Sequence, residues 1–421
     1  MTHLGLVSAT AVAAKGFVTR CYDSDAALID RLSKGELPVH EPDLGALRQA
    51  NGDRQQFSAD AGTLRDCDVV YISPDVPTDA AGKSELAGIL RLITDVASVL
   101  NRDAVMVMLA QVPPGFTRAL TAVPHERLYY QVETLVFGRA VERAMTPERY
   151  IVGCADPQRP LEPRFAAVLS AFGCPILTMR YESAELAKIA INFCLVASIG
   201  VANTLSEICE RIGADWSEIV PALKLDRRIG PHAYLAPGLG IAGGNLERDL
   251  MTIIGLSERY GTDAEIVQAC FGNSRHRARW ATRTLRDVLL ARSPRAKVAI
   301  WGLAYKENTH SIKNSPALAT LAELPGTSFV LHDPVVPASA LPGVQPVSAG
   351  DPVAMLGGAD GLMILTAWPQ YRAIAPADIA RAMRGRIVID PYRVLDKDRA
   401  MRAGLEYYTL GLQSGPVGER P

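Results

Sequence analysis

Short apolar runs alternate with longer amphipathic stretches in the first part of the chain. The runs of strand length are residues 18–22, 69–73, 104–109 and 150–152. Between them, residues 85–100 carry apolar positions at helical spacing. Strands that alternate with helices are typical of a mostly parallel sheet covered by helices on both faces. The pattern predicts a doubly wound α/β domain over residues 1–178.

The pattern changes to nearly continuous helix from residue 183 onward. Residues 184–212 keep apolar positions at helical spacing, and a helix of this length usually connects domains or packs against its copy in another subunit. Because Asn192, Ser198 and Asn203 interrupt its apolar stretch, we expect a buried helix and not a membrane span. Further helices are predicted over residues 246–260 and 263–290. We expect a helical domain over residues 179–292.

Strand and helix alternation returns after residue 293. The predicted strands are residues 297–302, 328–332, 361–365 and 386–389. This pattern predicts a second, smaller α/β domain over residues 293–421. The expected fold is therefore two Rossmann-like parallel-sheet domains joined by a helical domain with a long central helix.

Composition and charge exclude several classes of partner. Hydrophobic residues make up 48% of the 421 residues and the net charge is -1, so no overall field attracts nucleic acid or a membrane surface. The seven cysteines are dispersed without a CxxC pair, which indicates reduced, buried thiols in a cytoplasmic protein and no metal site. Residues 4–14 are apolar, but no positive charge precedes them, so we expect no signal peptide.

The amino-terminal residues fit part of a dinucleotide-binding unit. Gly5 opens an apolar helix, Gly16 ends it, and Asp23 closes the following strand. In such units glycines let the backbone approach the pyrophosphate, the helix N-terminus supplies N–H donors, and the acid binds the ribose hydroxyls. The first glycine of the usual G-x-G-x-x-G motif would precede residue 1, however, and the second falls on Thr2.

The strand that should precede Gly5 is therefore missing from the sequence. Two interpretations are open: the natural chain begins about ten residues further upstream, or the protein has lost its central strand. The loss would expose two apolar sheet edges, which is unfavourable, so the first interpretation is preferred. We expect the sheet to lack the strand beside residues 18–22.

Several short motifs follow one another along the chain. They are K-G-x-x-P-x-x-E-P-x-L at residues 34–44, D-R-R-I-G at 226–230, G-L-A-Y-K at 302–306, H-D-P at 332–334 and D-P-Y-R at 390–393. In these motifs the chain resembles the UDP-glucose/GDP-mannose dehydrogenase family. The resemblance implies NAD as cofactor, a UDP- or GDP-hexose as substrate, a homodimer or higher homo-oligomer, and a place in polysaccharide biosynthesis.

The resemblance also implies binding and catalytic residues. Lys188 and Asn192 match the substrate-binding lysine and asparagine, and their spacing puts an amine and an amide on one helix face. Arg228 matches the arginine that reaches a neighbouring subunit's sugar. Lys306 and Arg393 match positive groups at the nucleotide end, where a diphosphate needs paired charge. Taken singly, each of these charges is more often solvated surface.

Other matches concern the reacting groups and the cofactor. Glu133 matches a glutamate able to polarise a water molecule, and this interpretation is preferred to the alternative of a solvated glutamate at a strand end. Asp249 and Arg248 are expected to act on the reacting oxygen, Arg248 from the cofactor side. Lys313 replaces a cofactor-binding arginine, and Phe137 replaces a glutamate.

Other departures lie near the cofactor as well. Val76 stands where the family has a threonine before Pro77, and Gln111 replaces another threonine. Each replacement removes a hydrogen bond to the nicotinamide half of the cofactor. These departures affect the expected NAD geometry more than the fold.

The catalytic cysteine of the family is absent. Residues 237–249 read P-G-L-G-I-A-G-G-N-L-E-R-D. Asn245 stands at the position of the thiol in an ungapped match, and Leu246 stands there if the glycines are brought into register. A thiolate traps the intermediate aldehyde and so permits a second hydride transfer, whereas an amide is no nucleophile at neutral pH. Three functions stay open: an NAD-dependent dehydrogenase without a thioester intermediate, a non-oxidative enzyme such as an epimerase, and a non-catalytic nucleotide-sugar-binding protein.

Overall fold

The computed structural model describes residues 1–39, 41–79, 84–336 and 350–413. His40 of the first family motif lies outside them. The chain divides into two compact units, Met1–Ile191 and Asn192–Pro421. The expected division into three domains at residues 178 and 292 stays a prediction.

The first unit is an α/β unit whose sheet is divided into two parts. Its strands are β1 (Thr19–Tyr22), β2 (Gln55–Ser58), β3 (Val69–Ile72), β4 (Val105–Met108), β5 (Leu128–Gln131), β6 (Tyr150–Cys154) and β7 (Ile176–Arg180). Strands β1 and β2 form one parallel pair, and β3 to β7 form a second sheet in chain order. Only the pair β5 and β6 is antiparallel among the described strands of this unit.

Helices of the first unit cover both faces of these sheets. They are α1 (His3–Ala14), α2 (Ala26–Ser33), α3 (Leu44–Ala50), α4 (Ala87–Val99), α5 (Phe116–Ala119), α6 (Ala140–Met145) and α7 (Pro163–Ser170). Strand β4 is wholly buried because helices pack on both of its faces, which explains its continuous apolar sequence. The mostly parallel α/β architecture predicted from the sequence is confirmed.

The break in the sheet confirms the expectation of a missing strand. Residues 1–4 form no strand, since helix α1 already begins at His3. The pairing partners of β1 and β3 in the described residues are β2 and β4, respectively. No strand therefore joins β1 to β3 in the part of the chain that the structure describes.

The long central helix, α8 (Tyr181–Ile212), continues from the first unit into the second. By length and composition it could cross a membrane, and only 28% of its most apolar window is buried within the chain. The expectation of a buried helix was therefore wrong for much of its length. Val201, Leu205, Ile208 and Ile212 are exposed, and Ile212 is 69% exposed.

The second unit contains further helices and one parallel sheet. Its helices are α9 (Trp216–Leu225), α10 (Asn245–Tyr260), α11 (Glu265–Ala278), α12 (Trp280–Leu285), α13 (Pro316–Glu323), α14 (Pro369–Arg372), α15 (Pro376–Ala382) and α16 (Lys397–Arg402). Its strands are β8 (Lys297–Trp301), β9 (Ser328–His332), β10 (Gly361–Ile364), β11 (Ile387–Ile389) and β12 (Glu406–Tyr408). They pair in the order β12-β11-β10-β8-β9, all in parallel.

The predicted strands of the second sheet are found within one or two residues of their expected ends. The predicted helix over residues 263–290 is divided into α11, α12 and a π-helical turn at Arg286–Leu290. The expectation of buried cysteines is wrong for Cys194, which is exposed on α8, whereas Cys21, Cys154 and Cys209 are buried.

Candidate active site

The start of helix α1 is packed against the end of strand β3. Gly5 is the third residue of α1 and not its first, which corrects the predicted helix start. A Cβ atom at Gly5 would lie 2.7 Å from Ser73 Oγ, so only glycine fits without moving Ser73. Thr2 Oγ1 also donates to the Ser73 carbonyl at 3.0 Å. The close approach of helix to sheet that a dinucleotide turn requires is therefore present.

Asp23 follows strand β1 directly, as the sequence predicts for a ribose-binding acid. Its Oδ1 accepts the Asp25 N–H at 3.0 Å, and its Oδ2 contacts the Met1 ammonium. Burial lowers the pKa of that ammonium. A carboxylate after the second strand of the βαβ pattern and N–H groups at the first turn of α1 suit the adenosine diphosphate half of NAD.

Glu133 lies after strand β5, near Lys188 of helix α8. Its Oε1 accepts the Leu135 N–H. Burial raises the pKa of the Glu133 carboxyl to about 7, and the ammonium of Lys188 opposes part of that rise. A carboxyl group with this pKa accepts and releases a proton near neutral pH, which a solvated surface glutamate does not.

Asn192 and Asp249 are paired in the second unit. Asn192 Nδ2 donates to Asp249 Oδ2 at 2.5 Å, and Arg248 Nε lies 3.7 Å from Asp249 Oδ1. Arg248 and Asp249 are both buried, in the first turns of helix α10. A buried carboxylate that is bound by an amide and lies beside a guanidinium is fixed in position.

The glycine-rich loop before α10 is held by two side chains that the sequence analysis did not assign. Asn203 Oδ1 accepts the Gly238 N–H at 2.8 Å, and Ser274 Oγ accepts the Ile241 N–H at 2.7 Å. Gly240 has φ of 83°, and a Cβ there would lie 2.5 Å from the Ser274 carbonyl oxygen. A buried asparagine within an apolar helix was the available signal for Asn203.

Asn245 is the first residue of α10, after Gly244. Its side chain lies outside the part of the structure that is described. The expectation that this side chain faces the reacting groups thus stays a prediction.

The predicted cofactor residue Lys313 contacts the end of the glycine loop. Its carbonyl accepts the Gly243 N–H at 3.1 Å, and a Cβ at Gly244 would lie 2.7 Å from its Nζ. Lys306 places its Nζ 5.7 Å from the centroid of the Tyr305 ring. Both lysines thus lie in the segment between β8 and α13.

Arg393 is an ion-paired residue in this structure. It has φ of 51°, and its Nη2 donates to Asp215 Oδ1 at 2.7 Å while its Nη1 donates to Ser217 Oγ at 2.8 Å. Asp215 is the N-cap of helix α9. A role at the nucleotide end would therefore require Arg393 to share or leave this carboxylate.

Arg228 is 88% exposed and binds Asp226 two residues away, with Nη2 and Oδ2 2.7 Å apart. The pair lies in the segment after α9. An arginine this exposed is available to a second molecule, as the resemblance implies.

Two family motifs contain buried carboxylates that organise loops. Asp333 Oδ2 accepts the N–H groups of Leu303 and Ala304 at 2.7 and 3.1 Å. Asp390 Oδ2 accepts the Leu395 N–H at 2.8 Å and the Tyr407 hydroxyl at 2.7 Å. Burial raises the pKa of Asp390. The hydrogen bonds of these two aspartates to nearby loops account for the presence of both motifs, and no bound ligand is needed to explain them.

Comparison with known sequence families accounts for three parts of the chain. Residues 1–168 match the NAD binding domain, residues 182–272 the central domain, and residues 299–397 the UDP binding domain of one family. The chain belongs to the UDP-glucose/GDP-mannose dehydrogenase family. It is an NAD-dependent nucleotide-sugar dehydrogenase, and the alternatives of epimerase and binding protein find no support in these matches.

Individual relatives are similar over nearly their whole lengths. The chain is 28% identical to UDP-glucose 6-dehydrogenase of Pseudomonas aeruginosa, covering 97% of this chain and 95% of that protein. It is 27% identical to UDP-glucose 6-dehydrogenase TuaD of Bacillus subtilis, covering 97% and 91%. The structure of a UDP-glucose dehydrogenase from Pyrobaculum islandicum matches with a TM-score of 0.85 and 27% identity, covering 98% of this chain and 96% of that one.

Proposed function

We propose that this protein oxidises the hydroxymethyl carbon of a UDP-hexose, UDP-glucose in the first instance, without a thioester intermediate. The names of the P. aeruginosa and B. subtilis relatives support the substrate. The lack of a cysteine in residues 237–249 supports the route. The observation that carries the proposal is the hydrogen bond from half-buried Asn192 to buried Asp249, which keeps a carboxylate in place at the start of α10.

The retained side chains are suited to one oxidation step. An alcohol becomes an aldehyde when its oxygen loses a proton and its carbon loses a hydride, and NAD supplies the hydride acceptor. Asp249 orients the reacting hydroxyl and accepts its proton, while Lys188 and Asn192 position the sugar oxygens. Glu133, with its pKa near 7, accepts a proton from water during hydration of the aldehyde.

The second oxidation is slow in this proposal. A thiolate would form a covalent adduct with the aldehyde, and the unaltered chain has no thiol in the loop to form one. The aldehyde hydrate can still lose a hydride to give the acid, but nothing covalent retains the aldehyde between the steps. We therefore expect the aldehyde to leave the enzyme before the acid forms in most turnovers.

Counting NADH per sugar consumed tests this route. With UDP-glucose we expect close to one NADH and mostly aldehyde from the unaltered protein. Asn245→Cys should raise the yield towards two NADH and a uronate, with the second step at least about tenfold faster. Asn245→Ser is the matched control because serine is similar in size to cysteine but has no thiol. This variant should behave as the unaltered protein does.

Other outcomes would overturn the proposal. Two NADH and a uronate from the unaltered protein, at equal rates for both steps, would show that Asn245 is no impediment. An epimerised sugar without NADH release would indicate a non-oxidative enzyme. Binding of UDP-glucose without any turnover would indicate a non-catalytic protein.

We propose that the protein is a cytoplasmic homodimer or higher homo-oligomer. An apolar face of α8 is exposed in the single chain, and a second copy of the same helix would cover it. Arg228, exposed after α9, would then reach the sugar of the partner. Sedimentation in detergent-free buffer should give a dimer or larger species at micromolar concentration. A monomer, or a protein that stays dispersed only in detergent, would contradict this assembly.

A further inference from the structure

The loop after strand β5, residues 133–140, carries Glu133 at its start. Glu133 Oε1 accepts the Leu135 N–H, and Arg143 Nε of helix α6 donates to the Thr134 carbonyl at 2.8 Å. These contacts hold the first half of the loop, next to the Glu133 carboxyl. What holds the second half therefore decides how firmly the whole loop is fixed.

The second half of the 133–140 loop is bound by Glu41, the glutamate of the K-G-x-x-P-x-x-E-P-x-L motif. Glu41 Oε2 accepts the Gly138 N–H at 3.0 Å, and its Oε1 accepts the Ala140 N–H at 2.7 Å. Gly138 has φ of 85°, so the chain turns at the first of these contacts. Ala140 is the first residue of α6, where an N–H has no partner within its own helix. One carboxylate thus fixes both the end of the loop and the start of α6.

Helix α1 is joined to the same carboxylate through His3. His3 Nε2 donates to Glu41 Oε2 at 2.9 Å, since an ionised carboxylate can only accept. The His3 ring also stacks on Phe137, with ring centroids 4.2 Å apart and planes 27° apart. His3 and Glu41 are both buried. Helix α1 therefore holds the 133–140 loop at two points, the Phe137 ring and the Glu41 carboxylate.

The negative charge of Glu41 suits its three donors. Burial raises the pKa of the Glu41 carboxyl, but hydrogen bonds from His3, Gly138 and Ala140 outweigh burial and leave the pKa below its ordinary value. A glutamine here would keep one acceptor oxygen but would turn an NH₂ group towards another donor. The contacts therefore require a carboxylate, and a neutral side chain of the same size cannot replace it.

Charged groups from several elements surround Glu133. Burial is the largest cause that raises the pKa of its carboxyl to about 7, and Asp75, after strand β3, raises it further. The groups that lower this pKa are Lys188 of α8, His3 of α1 and Arg143 of α6. Because burial dominates, the position of the 133–140 loop decides how far the carboxyl is removed from water.

We propose that Glu41 is a positioning residue for Glu133. It binds the far end of the 133–140 loop to helix α1, and so sets where the Glu133 carboxyl lies and how much water reaches it. The expected effect on reaction rate rests on the proposed function, in which Glu133 accepts a proton from water as the aldehyde is hydrated. The expected effect on the Glu133 carboxyl itself does not rest on that function.

Supplying the aldehyde directly as substrate isolates the step in which Glu133 acts. The hydrate of UDP-glucose 6-aldehyde loses a hydride to NAD and a proton, so one acid and one NADH form per aldehyde. Glu41→Gln should lower kcat for this aldehyde at least about tenfold and change KM less than about threefold. The same variant should alter kcat for UDP-glucose much less. Glu36→Gln is the matched control, because Glu36 is an exposed glutamate of the same motif segment, and it should change neither rate.

The pH dependence gives a readout that a loss of stability alone would not move. The rate of aldehyde oxidation by the unaltered protein should rise with pH through about 7, as Glu133 ionises. In Glu41→Gln the loosened loop admits water to the Glu133 carboxyl, so the midpoint should move to lower pH. Glu41→Asp keeps the charge but is one methylene shorter. A smaller shift in the same direction in Glu41→Asp would show that position, and not charge, sets the midpoint.

Two results with Glu41→Gln would overturn the positioning role. One is an equal loss in kcat for the aldehyde and for UDP-glucose, and the other is an unchanged pH midpoint. If Glu41→Gln does not fold, Glu41→Asp decides by the same two measurements.

Glu133→Gln separates this proposal from the proposed function. If that variant oxidises the aldehyde at the unaltered rate, Glu133 has no part in hydration and that part of the proposed function fails. The titration of the Glu133 carboxyl, followed by carbon NMR of protein labelled in its glutamate carboxyls, then tests the positioning role alone. The signal that is lost in Glu133→Gln identifies the group. A Glu133 titration that is the same in Glu41→Gln as in the unaltered protein would overturn the proposal.

Discussion

Replacing Glu133 by glutamine should make the protein more stable at alkaline pH and less active at the same time. Burial raises the pKa of this carboxyl from 4.5 to about 7. The folded protein thus binds the proton more tightly than the unfolded chain does. Stability falls as pH rises from about 4.5 through about 7, because the folded state must then ionise a buried group.

The magnitude follows from the difference in pKa. Each pKa unit corresponds to 1.36 kcal/mol, so ionised Glu133 lowers the free energy of unfolding by about 3 kcal/mol near pH 8. Near pH 5 the same residue costs less than about 1 kcal/mol. Glutamine keeps an Oε1 that can accept the Leu135 N–H, so the variant loses the charge without losing this contact.

Urea denaturation followed by circular dichroism, near pH 5 and near pH 8, measures both values. We expect Glu133→Gln to gain about 2 kcal/mol more at the higher pH than at the lower one. Glu126→Gln is the control, since Glu126 is exposed, and it should change little at either pH. An equal gain in the free energy of unfolding at both pH values, or no gain, would show that Glu133 is not a buried group that ionises between them. Unchanged turnover of the variant would refute its catalytic role independently.

Three further predictions follow from the contacts of the site. Lys188→Met removes the charge that lowers the pKa of Glu133, so the fall in stability with rising pH should still begin near pH 4.5 but continue to a higher pH, as urea titrations at several pH values would show. Gly5→Ala should lower the free energy of unfolding by about 1–3 kcal/mol through its clash with Ser73, and Gly5→Ala/Ser73→Ala should recover part of that loss. Asn203→Ala removes the acceptor of the Gly238 N–H, which should cost about 1–3 kcal/mol and raise KM for the nucleotide sugar in steady-state assays.

The sequence predicted the two parallel sheets well because their strands are buried runs with helices between them. It missed β2, β5, β7 and β12. Of these, Gln55–Ser58 and Ile176–Arg180 are partly exposed and carry no continuous apolar run, and Glu406–Tyr408 is only three residues long. The break in the sheet was predictable, because glycine spacing fixes where the first strand must end. The ion pair of Arg393 with Asp215 was not, since residues so distant in sequence carry no local signal.

The glycine loop shows why a substitution at position 245 can report chemistry alone. Asn203 and Ser274 fix the loop backbone through hydrogen bonds to residues 238 and 241, before the chain reaches Asn245. Asn192 and Arg248 fix Asp249 on the other side. The loop backbone before position 245 and the Asp249 carboxylate after it are therefore held by groups that Asn245→Cys and Asn245→Ser leave unchanged. Asparagine, serine and cysteine also differ little in helix propensity, so the first turn of α10 should persist in each variant. A difference between the two variants in NADH yield would then measure what a thiol adds to this site.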